Sequence, residues 1–150
     1  MSAARLARAS DLPSLLALFA ASDVSAAAEP RAHAEDVWRE TLAQPGLYVF
    51  VSEEAGQAAA TCMLVTAPNL LRAGRRHGFL ENVVTRRDLQ GRGHGRAVVA
   101  AALEKAWAVD CHHVLMQSGR ADPRVHRFYE KLGFRPGLRT AYVALRPGKF

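Results

Sequence analysis

Within the 150 residues of the chain, the segment Gln90-Gly91-Arg92-Gly93-His94-Gly95 concentrates glycine and cationic residues. It falls where a β-prone run, Val83-Val84-Thr85, gives way to an amphipathic helical pattern. Glycine tolerates positive φ and carries no Cβ, so successive backbone N–H groups can converge on one point. At a helix N-terminus, those N–H groups and the helix dipole make an anion site. Arg86, Arg87, Arg92, His94 and Arg96 surround it with formal or potential positive charge. The chemistry this invites is the holding of a phosphate or pyrophosphate. Two familiar phosphate loops do not fit: GxxxxGK[ST] needs a lysine the turn lacks, and GxGxxG needs a different glycine spacing. A basic surface turn that touches nucleic acid without specificity is the alternative these residues leave open by themselves.

A second segment, His126-Arg127-Phe128-Tyr129-Glu130-Lys131-Leu132-Gly133-Phe134, follows about one helix and one strand later. Together the two segments resemble the GNAT superfamily of acyl-CoA-dependent N-acetyltransferases. The resemblance is specific over residues 77–135; over 1–70 only the order of elements agrees. It implies that Gln90, Gly91, Arg92, Gly93, His94, Gly95 and Arg96 wrap the pyrophosphate of acetyl-CoA through backbone N–H groups. Asn82, Val83, Val84 and Thr85 would pair their backbone with the amide-rich pantetheine arm, as a sheet edge pairs with a peptide. A backbone N–H near Asn82–Val84 would polarise the thioester carbonyl, a term often dominant in acyl transfer. Tyr129 would protonate the departing thiolate, a modest task since a thiol has a pKa of about 8.5. Many members carry an asparagine seven residues before the tyrosine that bonds the pantetheine. Asp122 stands there in this chain; it can cap a helix and accept an N–H, but when ionised it cannot donate.

An amine acceptor arrives mostly as ammonium and must lose a proton before it attacks, so a carboxylate near the site is expected. Glu81 directly precedes Asn82, where family members often place such a glutamate. Its apolar neighbours Phe79, Leu80, Val83 and Val84 suggest a buried central strand, in which a lone carboxylate is costly without a task or partner. His126 is the other candidate base. The resemblance places the acceptor pocket around residues 23–36 and 136–142. Asp23, Glu29, Glu35 and Asp36 would attract a cationic amine there, or simply form a solvated acidic face. Trp38, Phe50 and Tyr142 are candidates to line it, with core packing the blander use of Trp38. The expected function is transfer of an acetyl group from acetyl-CoA to a primary amine of a small molecule or peptide, by direct attack in a ternary complex. Two rivals are a non-catalytic acetyl-CoA-binding regulatory domain and a basic nucleic-acid-binding module. The second lacks interleaved aromatics for base stacking.

These residues need a scaffold, and the rest of the chain describes one. Hydrophobic residues make up 49% and charged residues 23%, in a length that suits one domain over 1–150. Short strands are expected over 3–7, 47–52, 58–66, 77–85, 113–118 and 138–145. Helices are expected over 11–21, 32–43, 96–108 and 123–132, with Ser10 and Asp122 as N-caps. Leu12, Leu15, Leu16 and Phe19 stripe the first helix, and Val37, Trp38 and Leu42 the second. Val98, Val99, Ala102, Leu103, Ala106 and Trp107 stripe the third. The order βααβββαβαβ predicts an α+β fold with a mixed, mostly antiparallel central sheet and about four flanking helices.

Charge is divided along the chain. Residues 1–70 hold four Arg against eight acids, a net of −4; residues 71–150 hold sixteen Lys and Arg against six acids, a net of +10. A basic half of this kind steers a polyanion, and a CoA ester is one. Cys62 and Cys111 are too few for a disulfide framework or a zinc ligand set, and both are expected to pack as small apolar side chains. No metal, nucleic acid or membrane partner is expected. No apolar run approaches the roughly 20 residues of a membrane span, so a cytoplasmic protein is expected, with a homodimer among the open possibilities.

Overall fold

In the computed structural model, which describes residues 1–148, two units are distinguished: 1–116 and the segment from Gln117 onward. The first unit contains the sheet. Strands β1 (Arg5–Leu6), β2 (Leu47–Glu54), β3 (Gln57–Ala67), β4 (Arg76–Thr85) and β5 (Cys111–Met116) lie side by side in chain order. The first three pairings are antiparallel and β4–β5 is parallel. The β2–β3 hairpin turns at Ala55 and Gly56, both at positive φ (50° and 74°), which matches the right-handed twist of the flanking strands.

Helices α1 (Leu12–Ala20) and α3 (His94–Ala108) pack against this sheet. Leu15 and Leu18 of α1 are buried in a cluster with Val51, Ala58 and Val84. Val98, Val99, Ala102 and Ala106 of α3 have no exposed surface, and the Cys62 thiol donates to the Val98 carbonyl (3.2 Å). Helix α2 (Arg31–Ala43) buries only Ala34. In the second unit, α4 (Pro123–Lys131) begins at Asp122, whose carboxylate accepts the Arg124 N–H at 2.9 Å. The expected α+β class and the mixed, mostly antiparallel sheet are observed.

Several expectations are corrected. Residues 138–145 do not form a strand. A strand needs a ladder for its N–H and C=O groups, and among the described residues this segment has none. Leu138, Tyr142, Val143 and Leu145 are accordingly exposed. Ser10 lies inside a short 3-10 turn (Ala9–Asp11) and does not cap α1, because Asp11 reaches back to accept the Arg8 N–H at 2.6 Å. Val37, Leu42 and Trp107 are exposed, so the apolar stripes of α2 and α3 are narrower than their sequences suggest.

Candidate functional site

The site grows from a change of register in β4. Glu81 stands opposite Met63 and Val84 opposite Thr61, so Asn82 and Val83 together face the single residue Cys62. This is a β-bulge, and Asn82 takes the left-handed φ of 52° within it. Asparagine is among the few non-glycine residues that visit this region readily. Beyond the bulge, Val84 returns to the core at 7% exposure.

On its other side β4 is only partly paired. The parallel ladder to β5 runs from Arg76–Cys111 to Leu80–Met116 and ends there, while β4 continues to Thr85. Gly78 sits within this ladder, where a Cβ would come 2.9 Å from the His113 carbonyl, so glycine permits the close strand approach. β5 ends at Met116, so past Leu80 the backbone of Glu81–Thr85 has no strand partner on this side among the described residues. An extended, amide-bearing ligand arm can use such an edge as a strand would.

The glycine-rich turn follows at once. The Arg86 N–H bonds the Ala59 carbonyl (2.8 Å), fixing the chain as it leaves the sheet, and Leu89 is buried beneath a short 3-10 turn (Arg87–Leu89). Gly91 (φ 79°) and Gly93 (φ 92°) then reverse the backbone into α3. Neither glycine has a crowding neighbour, so the left-handed φ, not lack of room, calls for glycine there. The Gly93 carbonyl accepts the Ala97 N–H (2.9 Å), the first bond of α3. The N–H groups of the first helical turn have no acceptor within a helix and project from its end. Gln90, Gly91, Arg92, Gly93 and Arg96 are exposed around this point, whereas Gly95 is buried.

The charges are less uniform than the composition implied. Arg86 is engaged by Asp88 through two bonds (2.7 and 3.0 Å), which hold the Asp88 carboxyl below its ordinary value and the guanidinium above its own. Arg87, Arg92 and Arg96 form no ion pair among the described residues. The His94 imidazole is not part of the surface charge. It is 3% exposed and turned toward β2, with Nδ1 2.8 Å from Ser52 Oγ and Nε2 3.4 Å from Glu54 Oε2.

Glu81 is exposed, which removes the argument from burial cost. It ends a cross-strand row, Val49–Met63–Glu81, beside a second row, Leu47–Val65–Phe79. Paired residues share a face, so Glu81 borders a half-exposed apolar strip, with solvent available to carry a proton. Asp122 and Tyr129 belong to the second unit. Tyr129 is half-buried on α4 between Phe128 (ring centroids 5.0 Å apart) and Phe134 (5.8 Å), both edge-on. Asp122 is committed to Arg124 by its cap and an ion pair (2.9 Å), which keep its carboxyl below the ordinary range. His126 Nε2 donates to the Arg120 carbonyl (2.8 Å) within the same segment, an internal use for this alternative base. Sequence reasoning missed the bulge at Asn82 and the Ser52–His94 pair. No group of three or more metal-ligating side chains exists among the described residues, nor any helix long and apolar enough to cross a membrane.

Comparison with known proteins bears on the family and the fold. The profile of the Acetyltransferase (GNAT) family matches residues 12–134. A glucosamine 6-phosphate N-acetyltransferase of Trypanosoma brucei brucei is 32% identical over 87 residues, 58% of this chain and 57% of that protein. The aligned stretch thus spans little more than half of that relative. Among solved structures, a protein assigned as an acetyltransferase from Agrobacterium tumefaciens str. C58 superposes with a TM-score of 0.85 at 40% identity, covering 96% of this chain and 99% of that one. An acetyltransferase of Trypanosoma brucei superposes with a TM-score of 0.80 at 26% identity, covering 97% and 100%.

Proposed function

The chain belongs to the GNAT acetyltransferase family and is an acyltransferase, and from that premise we propose that it moves an acetyl group from acetyl-CoA to a primary amine. The observation that carries this reading is the unpaired edge of β4: pairing to β5 ends at Leu80–Met116, and the strand runs on through Thr85 into the glycine turn. One ligand with a peptide-like arm and a pyrophosphate suits both features in succession. Arg87, Arg92 and Arg96 supply the matching charge.

In this reading the amine attacks the thioester carbon while both substrates are held. The carbonyl oxygen takes up charge against a backbone N–H of the Asn82–Val84 bulge. Glu81, directly or through water, accepts the proton that the ammonium must shed. The tetrahedral intermediate then expels the thiolate, and the Tyr129 phenol supplies its proton. Asp122 acts as a helix cap and not as a donor to pantetheine.

The Trypanosoma relative bears a name that specifies glucosamine 6-phosphate, so an amino sugar phosphate is the first acceptor to assay. The test is release of free thiol from acetyl-CoA with glucosamine 6-phosphate, glucosamine, diamines and peptide amines. Amine-dependent release is expected, with Tyr129→Phe lowering kcat by about a hundredfold at most, the lower end for a general acid because a thiolate leaves readily. Glu81→Gln is expected to lower kcat most toward low pH, where free amine is scarcest. CoA binding without turnover on any amine would overturn the reading.

A further inference from the structure

The glycine turn itself is held by few bonds: the Arg92 N–H reaches the Leu89 carbonyl (3.3 Å), and the Ser2 hydroxyl donates to the Arg92 carbonyl (3.0 Å). Gln90 to Gly93 are exposed, and a Cβ at Gly91 would touch nothing within 4 Å. Leu89 anchors its front by burial. At its back, the first residue of α3 is a histidine whose ring is buried against β2.

A leucine there would fill space without fixing the rotation of the helix end. The imidazole does fix it, because both ring nitrogens face polar groups of one strand. Nδ1 meets Ser52 Oγ at 2.8 Å, and Ser52 is only 1% exposed; Nε2 faces Glu54 at 3.4 Å. A carboxylate only accepts, so Nε2 faces Glu54 as a donor, while Nδ1 and the Ser52 hydroxyl share the shorter bond. Ser52 and Glu54 both lie on β2, so the hydrogen bond to Ser52 and the contact with Glu54 tie the start of α3 to that strand.

We infer that His94 is a positioning residue for the anion-binding turn: through Ser52 and Glu54 it sets the orientation in which the first N–H groups of α3 are presented to a pyrophosphate. This rests on the reading that the turn receives the pyrophosphate of acetyl-CoA. The imidazole itself touches no substrate.

The experiment compares acetyl-CoA with acetyl-pantetheine, which has the same thioester but no pyrophosphate. His94→Phe keeps the bulk and burial, Ser52→Ala removes the partner with little change of volume, and His94→Asn retains a group able to bond Ser52. In the full-length protein, His94→Phe and Ser52→Ala are expected to raise KM for acetyl-CoA about tenfold, as loss of a buried hydrogen bond does. Their kcat, and kcat/KM for acetyl-pantetheine, should stay within about twofold, and His94→Asn should recover most of the lost affinity. Equal losses on both thioesters, or no change on either, would overturn the role assigned to His94 alone. A wild-type protein that does not prefer acetyl-CoA to acetyl-pantetheine would instead remove the pyrophosphate reading, and this inference with it. If His94→Phe does not fold, Ser52→Ala decides between these outcomes.

Discussion

Leu80 of β4 stands opposite Met116 of β5 as the last pair of the parallel ladder. Two residues further on, Asn82 occupies left-handed backbone space. β5 ends at Met116, so the ladder's end and the bulge lie within two residues of each other on β4. In the proposed reading the two features work together: the unpaired edge would take the ligand arm and the bulge would present a backbone N–H to the thioester.

The bulge makes a prediction with opposite signs for two substitutions. Asn82→Gly should keep stability and turnover close to wild type, because glycine adopts φ near 52° freely. Asn82→Val forces a β-branched residue into that region, at a cost of about 1–3 kcal/mol, and should flatten the bulge. Thermal melts and kcat with saturating acetyl-CoA would check both. A Val variant with unchanged kcat would show that the bulge is not part of the machinery.

At the turn, charge and backbone can be tested separately. Arg92→Ala and Arg96→Ala should each raise KM for acetyl-CoA several-fold with kcat preserved, and the difference from wild type should shrink as salt screens the attraction. Gly93→Ala adds a methyl that approaches only Ser2 Oγ (3.7 Å), so any loss must come from the left-handed φ of 92°. A weaker affinity that salt does not abolish is expected. Steady-state kinetics at two ionic strengths separate the two effects.

The extent to which the sequence disclosed this site follows from what each feature depends on. The glycine turn is written in local residues: Gly91 and Gly93 supply φ values that other residues resist, and the stripe from Val98 to Ala106 fixes the helix behind them. The bulge at Asn82 depends on register against β3, which no local pattern carries. Glu81 looked buried because apolar residues flank it on both sides along the chain, but those residues point to alternate faces and a strand edge lies open. His94 reads as one more cation because Arg92 and Arg96 stand two residues to either side; only the position of Ser52 on β2 shows that it turns inward. Residues 138–145 have strand composition, yet composition does not create a ladder.

Cys62 offers a check on the core behind the site. Burial pushes its thiol up to about 12, and its Sγ lies 3.2 Å from the Val98 carbonyl. Only the thiolate reacts with iodoacetamide, so at pH 8 the native protein should leave Cys62 unmodified while the unfolded chain alkylates quickly. Mass spectrometry of the peptide that contains Cys62 gives the answer. Rapid native alkylation would mean that α3 does not stay seated on β3.

Asp11 links stability to pH at the other end of the sheet. Its carboxylate receives both Arg5 guanidinium donors (2.8 and 2.9 Å) and the Arg8 N–H, and it is 8% exposed. The Arg5 hydrogen bonds hold its folded pKa below the ordinary 3.8, and the Arg8 N–H acts in the same direction. A depressed folded pKa gives a contribution that is complete above the unfolded value and is lost as pH falls through the folded one. Wild type should therefore exceed Asp11→Asn by a constant margin from pH 6 to 8, about 1–3 kcal/mol for a charge-assisted bond pair. The margin should shrink as the pH is lowered past about 4. Urea unfolding of both proteins at successive pH values measures it. A margin independent of pH down to 3 would mean that Asp11 acts by shape and not by charge.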